Sequence, residues 1–257
     1  MTVKRPFETL SEEYPVRTCA ADMNGLWRLS DILVQMQELA GKQCHLLGCG
    51  REHLLPGRGI VWVLTRSELR VRRMPRLGET VTITTWAAPP RRTIYPRYFS
   101  ISFSDGRPAI ECATRWVLCD IRDRRMVNAP DIGAAIPTPD REPPFAGFSP
   151  VPAIPGEGKV WTMTPRYSDL DANGHVNNTR YADWLCDALG IDLLRQKRIT
   201  VFSVDYRREV MPGDEIRMTL RRDDNGFSLF GARGDTPAFD IGGAFAADPV
   251  PGNDVRG

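Results

Sequence analysis

The chain has 257 residues, enough for one large domain or two compact ones, each with its own core. Hydrophobic residues at 42% and charged residues at 26% mark an ordinary folded protein and exclude a disordered one. A net charge of +2 points away from nucleic acid, which demands a clear basic face, and no apolar run approaches the ~18 residues of a membrane span.

The first sixteen residues hold no apolar stretch and no small-residue cleavage site, so no signal peptide is expected there. They are also too short and too acidic for a transit peptide. The six cysteines (Cys19, Cys44, Cys49, Cys112, Cys119, Cys186) are scattered, which predicts reduced thiols and a cytoplasmic protein.

A helix is predicted from about Ser30, a residue type suited to capping. Ile32, Leu33, Met36, Leu39, Ala40 and Leu47 follow at helical spacing. Strands come next: Val81 and Ile83 alternate with threonines, and Tyr95, Phe99, Ile101 and Phe103 alternate with Ser100 and Ser102. Asp105-Gly106 predicts a tight hairpin turn, and a strand through Cys112, Thr114, Trp116 and Leu118 completes the first half. Residues 128–157 then carry eight prolines, which lack the N–H that helices and ladders need. This stretch predicts a semi-rigid linker without regular structure. It divides the chain into units 1–130 and 158–257, joined by 131–157.

The second half repeats the order. A helix is predicted over 178–194, with Tyr181, Trp184, Leu185, Ala188 and Leu189 on its apolar side. Strands are predicted at about 199–208, 214–222, 226–233 and 238–246, with turns at Asn225-Gly226 and Gly234-Asp235. A long helix followed by an antiparallel meander is an α+β pattern.

The halves are related in detail. Shifted by 149 positions, Arg17, Asp22, Asn24, Gly25 and Gly41 coincide with Arg166, Asp171, Asn173, Gly174 and Gly190. A second echo sets Arg72-Arg73-Met74 against Arg207-Arg208-Glu209, and Gly78-Glu79 against Gly213-Asp214. One supersecondary unit has been duplicated. The copies differ where chemistry would sit: His175 faces Leu26, and Glu209 faces Met74.

The densest polar run is Ser168 to Asn178, just before the second helix. Asp171, Asn173 and His175 stand at alternate positions, so an extended loop would converge them on one carbonyl, next to a helix N-terminus suited to an oxyanion. An Asx turn and cap would account for Asp169, Asn177 and Asn178. It accounts poorly for His175, one of only three histidines.

The run Ser168-Asp-Leu-Asp-Ala-Asn-Gly-His-Val-Asn-Asn-Thr-Arg-Tyr181, followed 38 residues after Asp171 by Glu209, resembles the acyl-acyl-carrier-protein thioesterases. Gly59 to Arg66, Gly78-Glu79, Thr85-Trp86 and Trp116-Val117 are similar to the first half of that family. The resemblance implies a tandem hot dog, in which a long helix is wrapped by an antiparallel sheet, twice. It also implies hydrolysis of fatty acyl thioesters, with Asp171, Asn173, His175 and Glu209 as the catalytic set. The partner implied is acyl carrier protein bearing a phosphopantetheine-linked acyl chain, met by a monomeric pseudo-dimer or a homodimer. The cysteine that follows this Glu in many plant members is Val210 here, which argues against a thiol nucleophile. The missing transit segment suggests a bacterial type.

On this resemblance Glu209 or Asp171 would activate water or attack directly, and His175 would position the reacting groups or protonate the leaving thiolate. Met36, Leu39, Trp62 and Trp86 are the expected acyl-pocket walls. Arg70, Arg72, Arg73, Arg76, Arg91, Arg92 and Arg97 form an arginine-rich region, either solvated strand ends or a docking face for an acidic carrier, with Arg91 and Arg92 the expected substrate contacts. An acyl-CoA thioesterase and a non-catalytic acyl-binding hot dog are the competing readings. Cys44, His45, Cys49 and His53 cluster within ten residues, but not at a familiar ligand spacing, so no metal is expected. Gly48-Cys49-Gly50 lacks a preceding strand and a third glycine, and no Gly-x-Ser-x-Gly elbow occurs, so neither a nucleotide cofactor nor a serine nucleophile is expected.

Overall fold

The computed structural model describes residues 7–246. Residues 1–6, within the stretch read for a leader, and 247–257, the end of the second predicted unit, lie outside the described residues. No helix among the described residues is long and apolar enough to cross a membrane.

The class is α+β, as expected. Helix α1 (Leu29–Leu46) forms where the apolar spacing put it, and Ile32, Leu33, Met36, Leu39 and Ala40 are buried. Its start differs from expectation: Arg28 is the cap residue, with no side-chain cap bond, and Ser30 lies buried inside the first turn. A short helix α2 (Arg51–Arg58) follows. Strands β1 (Thr9–Pro15), β2 (Ile60–Val71), β3 (Thr80–Ala87), β4 (Tyr95–Phe103) and β5 (Pro108–Asp120) lie antiparallel in the order β1-β3-β4-β5-β2. Side chains along β4 alternate strictly between buried and half-buried. The expected hairpin turn is present: Gly106 takes φ +82 and donates its N–H to Phe103 O at 2.8 Å. Strand β6 (Met126–Val127) pairs with β5 alone.

The second half repeats this with β7 (Lys159–Met163), α4 (Arg180–Leu189), α5 (Ile191–Gln196), β8 (Arg198–Tyr206), β9 (Ile216–Arg222), β10 (Gly226–Arg233) and β11 (Thr236–Ala246). The single helix expected over 178–194 is two. Gly190 takes φ +85 with ψ 162, outside the helical region, and ends α4. Its repeat partner Gly41 stays inside α1. Residues 130–157 are also more ordered than expected. Pro130–Ala135 form a helix, α3, with Pro130 in the first turn, where a missing N–H costs nothing. Ile132 and Ile136 pack with Tyr95, Leu54 and Leu118 of the first half.

One ladder joins the halves. β2 pairs with β8, giving a continuous sheet, β1-β3-β4-β5-β2-β8-β11-β10-β9-β7. At the centre of that ladder Glu68 faces Ser203. Glu68 is fully buried, and each carboxylate oxygen has partners: Arg70 Nε and Ser149 Oγ on one, Ser149 N on the other. Phe148 stacks under Arg66 and Arg115, Phe145 under Arg70, and Val151 and Pro152 lie so close to Gly242 that a Cβ there would sit 2.6 Å from Pro152 Cδ. The proline-rich segment is therefore strapped across the join.

Glu68→Ala leaves the Ser149 N–H and Arg70 without their buried acceptor. The variant should lose about 3 kcal/mol of unfolding free energy in a urea titration. A loss below about 1 kcal/mol would mean that the strap contributes little to the joined sheet.

Candidate active site

The loop before α4 is built by its own hydrogen bonds. A short 3-10 turn (Tyr167–Asp169) leads into a bridge between Leu170 and Val176. Asp171 N donates to His175 O at 3.0 Å, and Gly174, at φ +81, closes back on Asp171 O. The Asp171 carboxylate organises the tip, with Oδ1 accepting Asn173 N at 2.8 Å and Oδ2 accepting Asn173 Nδ2 at 3.2 Å. His175 Nδ1 lies 3.7 Å from Asp171 Oδ2 and 3.3 Å from Val176 O. An Nδ1–H tautomer donates to that carbonyl and leaves Nε2 for chemistry. The imidazole is 28% exposed, so it is shielded on most sides yet within reach of a ligand.

Asp171, Asn173 and His175 are thus gathered in one loop. Glu209 stands in the segment after β8, with no side-chain contact to these three among the described residues. Val176 N donates to Val210 O at 2.9 Å, which ties the loop to the residue beside Glu209. The Glu209 carboxylate is held by Arg124 Nη1, a first-half residue at φ +56 in the β5–β6 turn. Arg124 was missed in the sequence. Nothing in Asp123-Arg124-Arg125 distinguishes it from a solvated turn, and only the joining of the halves brings it to Glu209. The helix start offers fewer free N–H groups than expected. Asn177 Oδ1 takes Thr179 N, Asn177 O takes Arg180 N, and Thr179 O takes Ala182 N.

The first copy has the same skeleton. Ala21 bridges Trp27, Asp22 N donates to Leu26 O, and Gly25 N closes on Asp22 O. Asp22 Oδ1 accepts Asn24 N at 2.8 Å and Leu26 N at 3.0 Å. Asn24 Nδ2 turns to Leu194 O of the other half. A cavity of about 600 Å³ opens here, lined by Asp22, Asn24, Leu26, Met74, Cys186 and Leu194 among others.

The remaining expected site residues are placed as follows. Met36 and Leu39 are buried in the main core on α1. Trp62 donates Nε1–H to Cys49 O at 2.9 Å and meets Tyr95 edge-on. Trp86 is buried beneath the Arg141 guanidinium. None of these four lines the 600 Å³ cavity. Arg91 and Arg92 are exposed on a tight turn closed by mutual hydrogen bonds between Arg91 and Ile94. The wider arginine-rich region is largely internal pairing: Arg70 with Glu68, Arg72 with Glu111 and Arg73 with Glu79, while Arg97 is buried. The Cys44–His53 cluster separates. His45 and His53 gather outward around Glu52, with His45 Nδ1 at 2.7 Å, while Cys49 points into the core and Cys44 is half-buried.

Residues 8–135 match the acyl-ACP thioesterase N-terminal domain, and residues 155–231 match the C-terminal domain of the same family. The palmitoyl-acyl carrier protein thioesterase of Gossypium hirsutum is 25% identical over 77% of this chain and 51% of its own. The dodecanoyl-[acyl-carrier-protein] hydrolase of Cinnamomum camphora is 29% identical over 63% and 44%. The chain spans about half the length of the curated relatives it matches. An acyl-ACP thioesterase from Bacteroides thetaiotaomicron superposes with a TM-score of 0.84 at 24% identity, covering 93% of this chain and 98% of that one. The 12:0-ACP thioesterase of Umbellularia californica gives 0.80 at 21%, over 95% and 99%. The cotton and camphor relatives are chloroplastic, which overturns the cytoplasmic placement read from the sequence.

Because Asp22 and Asp171 do the same backbone work, Asp22→Ala and Asp171→Ala should each cost about 1–2 kcal/mol of stability. Urea unfolding of the two variants checks this. A cost confined to one of them would break the equivalence of the loops.

Proposed function

Because the chain belongs to the acyl-ACP thioesterase family, we propose that it hydrolyses fatty acyl thioesters carried on acyl carrier protein, releasing free fatty acid and the carrier's pantetheine thiol. The observation that carries this reading is the asymmetry of the two loops. Their hydrogen-bonded skeletons match, yet only the second adds an imidazole, His175, and a nearby carboxylate, Glu209. A protein that merely bound acyl chains would need neither.

The roles follow from what each group has to spare. Both Asp171 oxygens are already engaged by Asn173, so Asp171 orients the loop and His175. Glu209 is solvent-accessible beside the loop and takes the proton of the attacking water. The water oxygen bonds to the thioester carbon. As the carbon–sulfur bond breaks, the proton that Glu209 took from the water is passed through His175 Nε2 to the leaving thiolate, which departs as the thiol and leaves both groups as they began. Arg124 positions Glu209 from the other half, so a single chain supplies both sides of the site.

The division of labour belongs to the same proposal: residues 1–130 are the non-catalytic unit, the strap 131–157 joins the units, and 158–257 carries the chemistry. Arg91 and Arg92, exposed and without an ion-pair partner among the described residues, are the cations available to an acidic carrier.

The deciding assay measures thiol release from matched acyl-ACP and acyl-CoA substrates. His175→Ala should lower kcat by about 10²–10⁴-fold at unchanged Tm. Preference for CoA would move the protein to an acyl-CoA thioesterase. Acyl binding without turnover would make it a binding protein.

Reversal of Arg91 and Arg92 to Glu should raise KM for the carrier-bound substrate severalfold and leave a free pantetheine thioester unaffected. Equal effects on the two substrates would remove the docking role.

A further inference from the structure

Arg97 is buried, and its guanidinium reaches three side-chain groups: Gln43 Oε1, Thr85 Oγ1 at 3.1 Å and Cys44 Sγ at 3.5 Å. No carboxylate forms an ion pair with it among the described residues. A buried cation without a counter-charge is costly, and of these three partners the Cys44 sulfur is the one able to supply that charge, as a thiolate.

The partner thiol is fixed by the way α1 ends. Gly48 takes φ +67, its N–H bonds to His45 O at 3.0 Å, and Cys49 N bonds to Cys44 O at 2.9 Å. This pair of bonds is a Schellman ending, whose geometry brings together the side chains of the residues at its two ends. Those residues are Cys44 and Cys49, so the turn that ends α1 sets their side chains side by side. A backbone hydrogen bond between two residues is compatible with the roughly 4.4–6.8 Å Cα separation that a disulfide spans. Cys44 is half-buried and Cys49 fully so.

We propose that Cys44 and Cys49 form a peroxide-oxidisable dithiol in which Cys44, beside Arg97, is attacked first and Cys49 resolves it to a disulfide.

The electrostatics run the same way. The neighbouring Cys49 thiol, and then the Arg97 charge, outweigh burial and draw the Cys44 thiol below the ordinary thiol range. Cys49 is pushed above it by its Cys44 neighbour and by burial. Burial pushes Cys112, Cys119 and Cys186 upward. In the first step the Cys44 thiolate attacks a hydroperoxide, the O–O bond breaks, Cys44 becomes a sulfenic acid and the alcohol or water leaves. In the second the Cys49 sulfur displaces the hydroxyl from Cys44 as water, its proton leaving with it. Two electrons pass from the dithiol to the peroxide. The bridge would fasten the end of α1 to the residue whose carbonyl holds the Trp62 indole, so it reaches an expected pocket wall. The proposal is independent of what the enzyme hydrolyses.

Lys42 and Arg51 make the test direct, because trypsin releases residues 43–51 with both cysteines in one peptide. The full chain is treated with graded hydrogen peroxide, alkylated and digested without reductant. The expected product is this peptide unalkylated and two hydrogens lighter than its dithiol, formed before Cys19 is modified. In Cys49→Ser, Cys44 should stop as a sulfenic acid and take a dimedone adduct. Arg97→Gln, with near-UV circular dichroism to check the fold, should slow bridge formation by roughly tenfold, and Arg97→Lys should restore much of it. The idea is overturned if the 43–51 peptide keeps two alkylatable thiols while Cys19 oxidises. It is equally overturned if Cys44 proceeds to sulfinic acid with Cys49 still reduced, or if Cys49→Ser leaves no adduct on Cys44.

Discussion

The molecule depends on one ladder, the antiparallel pairing of β2 with β8. Each half alone would end in an exposed strand edge, with unpaired N–H and C=O groups inviting aggregation. Pairing the two edges removes both liabilities and makes one sheet. Residues related by the second echo of the repeat, Glu68 and Ser203, stand opposite each other there. The join is therefore an approximate twofold, and a twofold pairs a surface with its own equivalent. The buried Glu68 breaks that symmetry, and its second carboxylate oxygen is satisfied by the strap, through Ser149 N.

The same join assembles the candidate site. The His175 loop belongs to the second half, but the cation on Glu209 is Arg124 of the first. Likewise Asn24 of the first loop reaches Leu194 of the second half. Each loop thus lies where one unit meets the other, and the 600 Å³ cavity opens at the first of them. The ion pair itself is 69% and 36% exposed, so it adds little to stability and serves to aim a carboxylate.

Periodic and repeated features were legible in the sequence. The apolar stripe of α1, the alternation in β4, the Asp105-Gly106 turn and the duplicated loop all rest on local rules, and all appear. Features fixed by tertiary contact were not. Gly41 and Gly190 look alike in sequence, yet only Gly190 leaves the helix. The prolines of 130–157 forbade ladders, but not a short helix that starts on Pro130, nor a strap anchored by Ser149, Phe145 and Phe148. The arginine-rich region looked like one surface because which arginine takes which carboxylate is fixed by the folded strands, not by adjacency: Arg70 and Arg73 take the nearby Glu68 and Glu79, while Arg72 takes a distant one. Glu111 is 39 positions from Arg72, and a sequence window does not see it.

The repeat also sorts the four candidate catalytic residues by what they do. Asp171 and Asn173 recur as Asp22 and Asn24 in the copy without an imidazole, and in both copies the aspartate accepts the N–H at the loop tip. A residue kept where no chemistry is proposed is kept for the fold. His175 and Glu209 are replaced by Leu26 and Met74, and the loop skeleton survives the change because the backbone-to-backbone bonds that close the loop are the same in both copies. The residues free to differ between the copies are the ones the loop does not need in order to form. On the thioesterase reading, the reaction therefore falls to His175 and Glu209, while Asp171 and Asn173 hold the geometry in which those two can act.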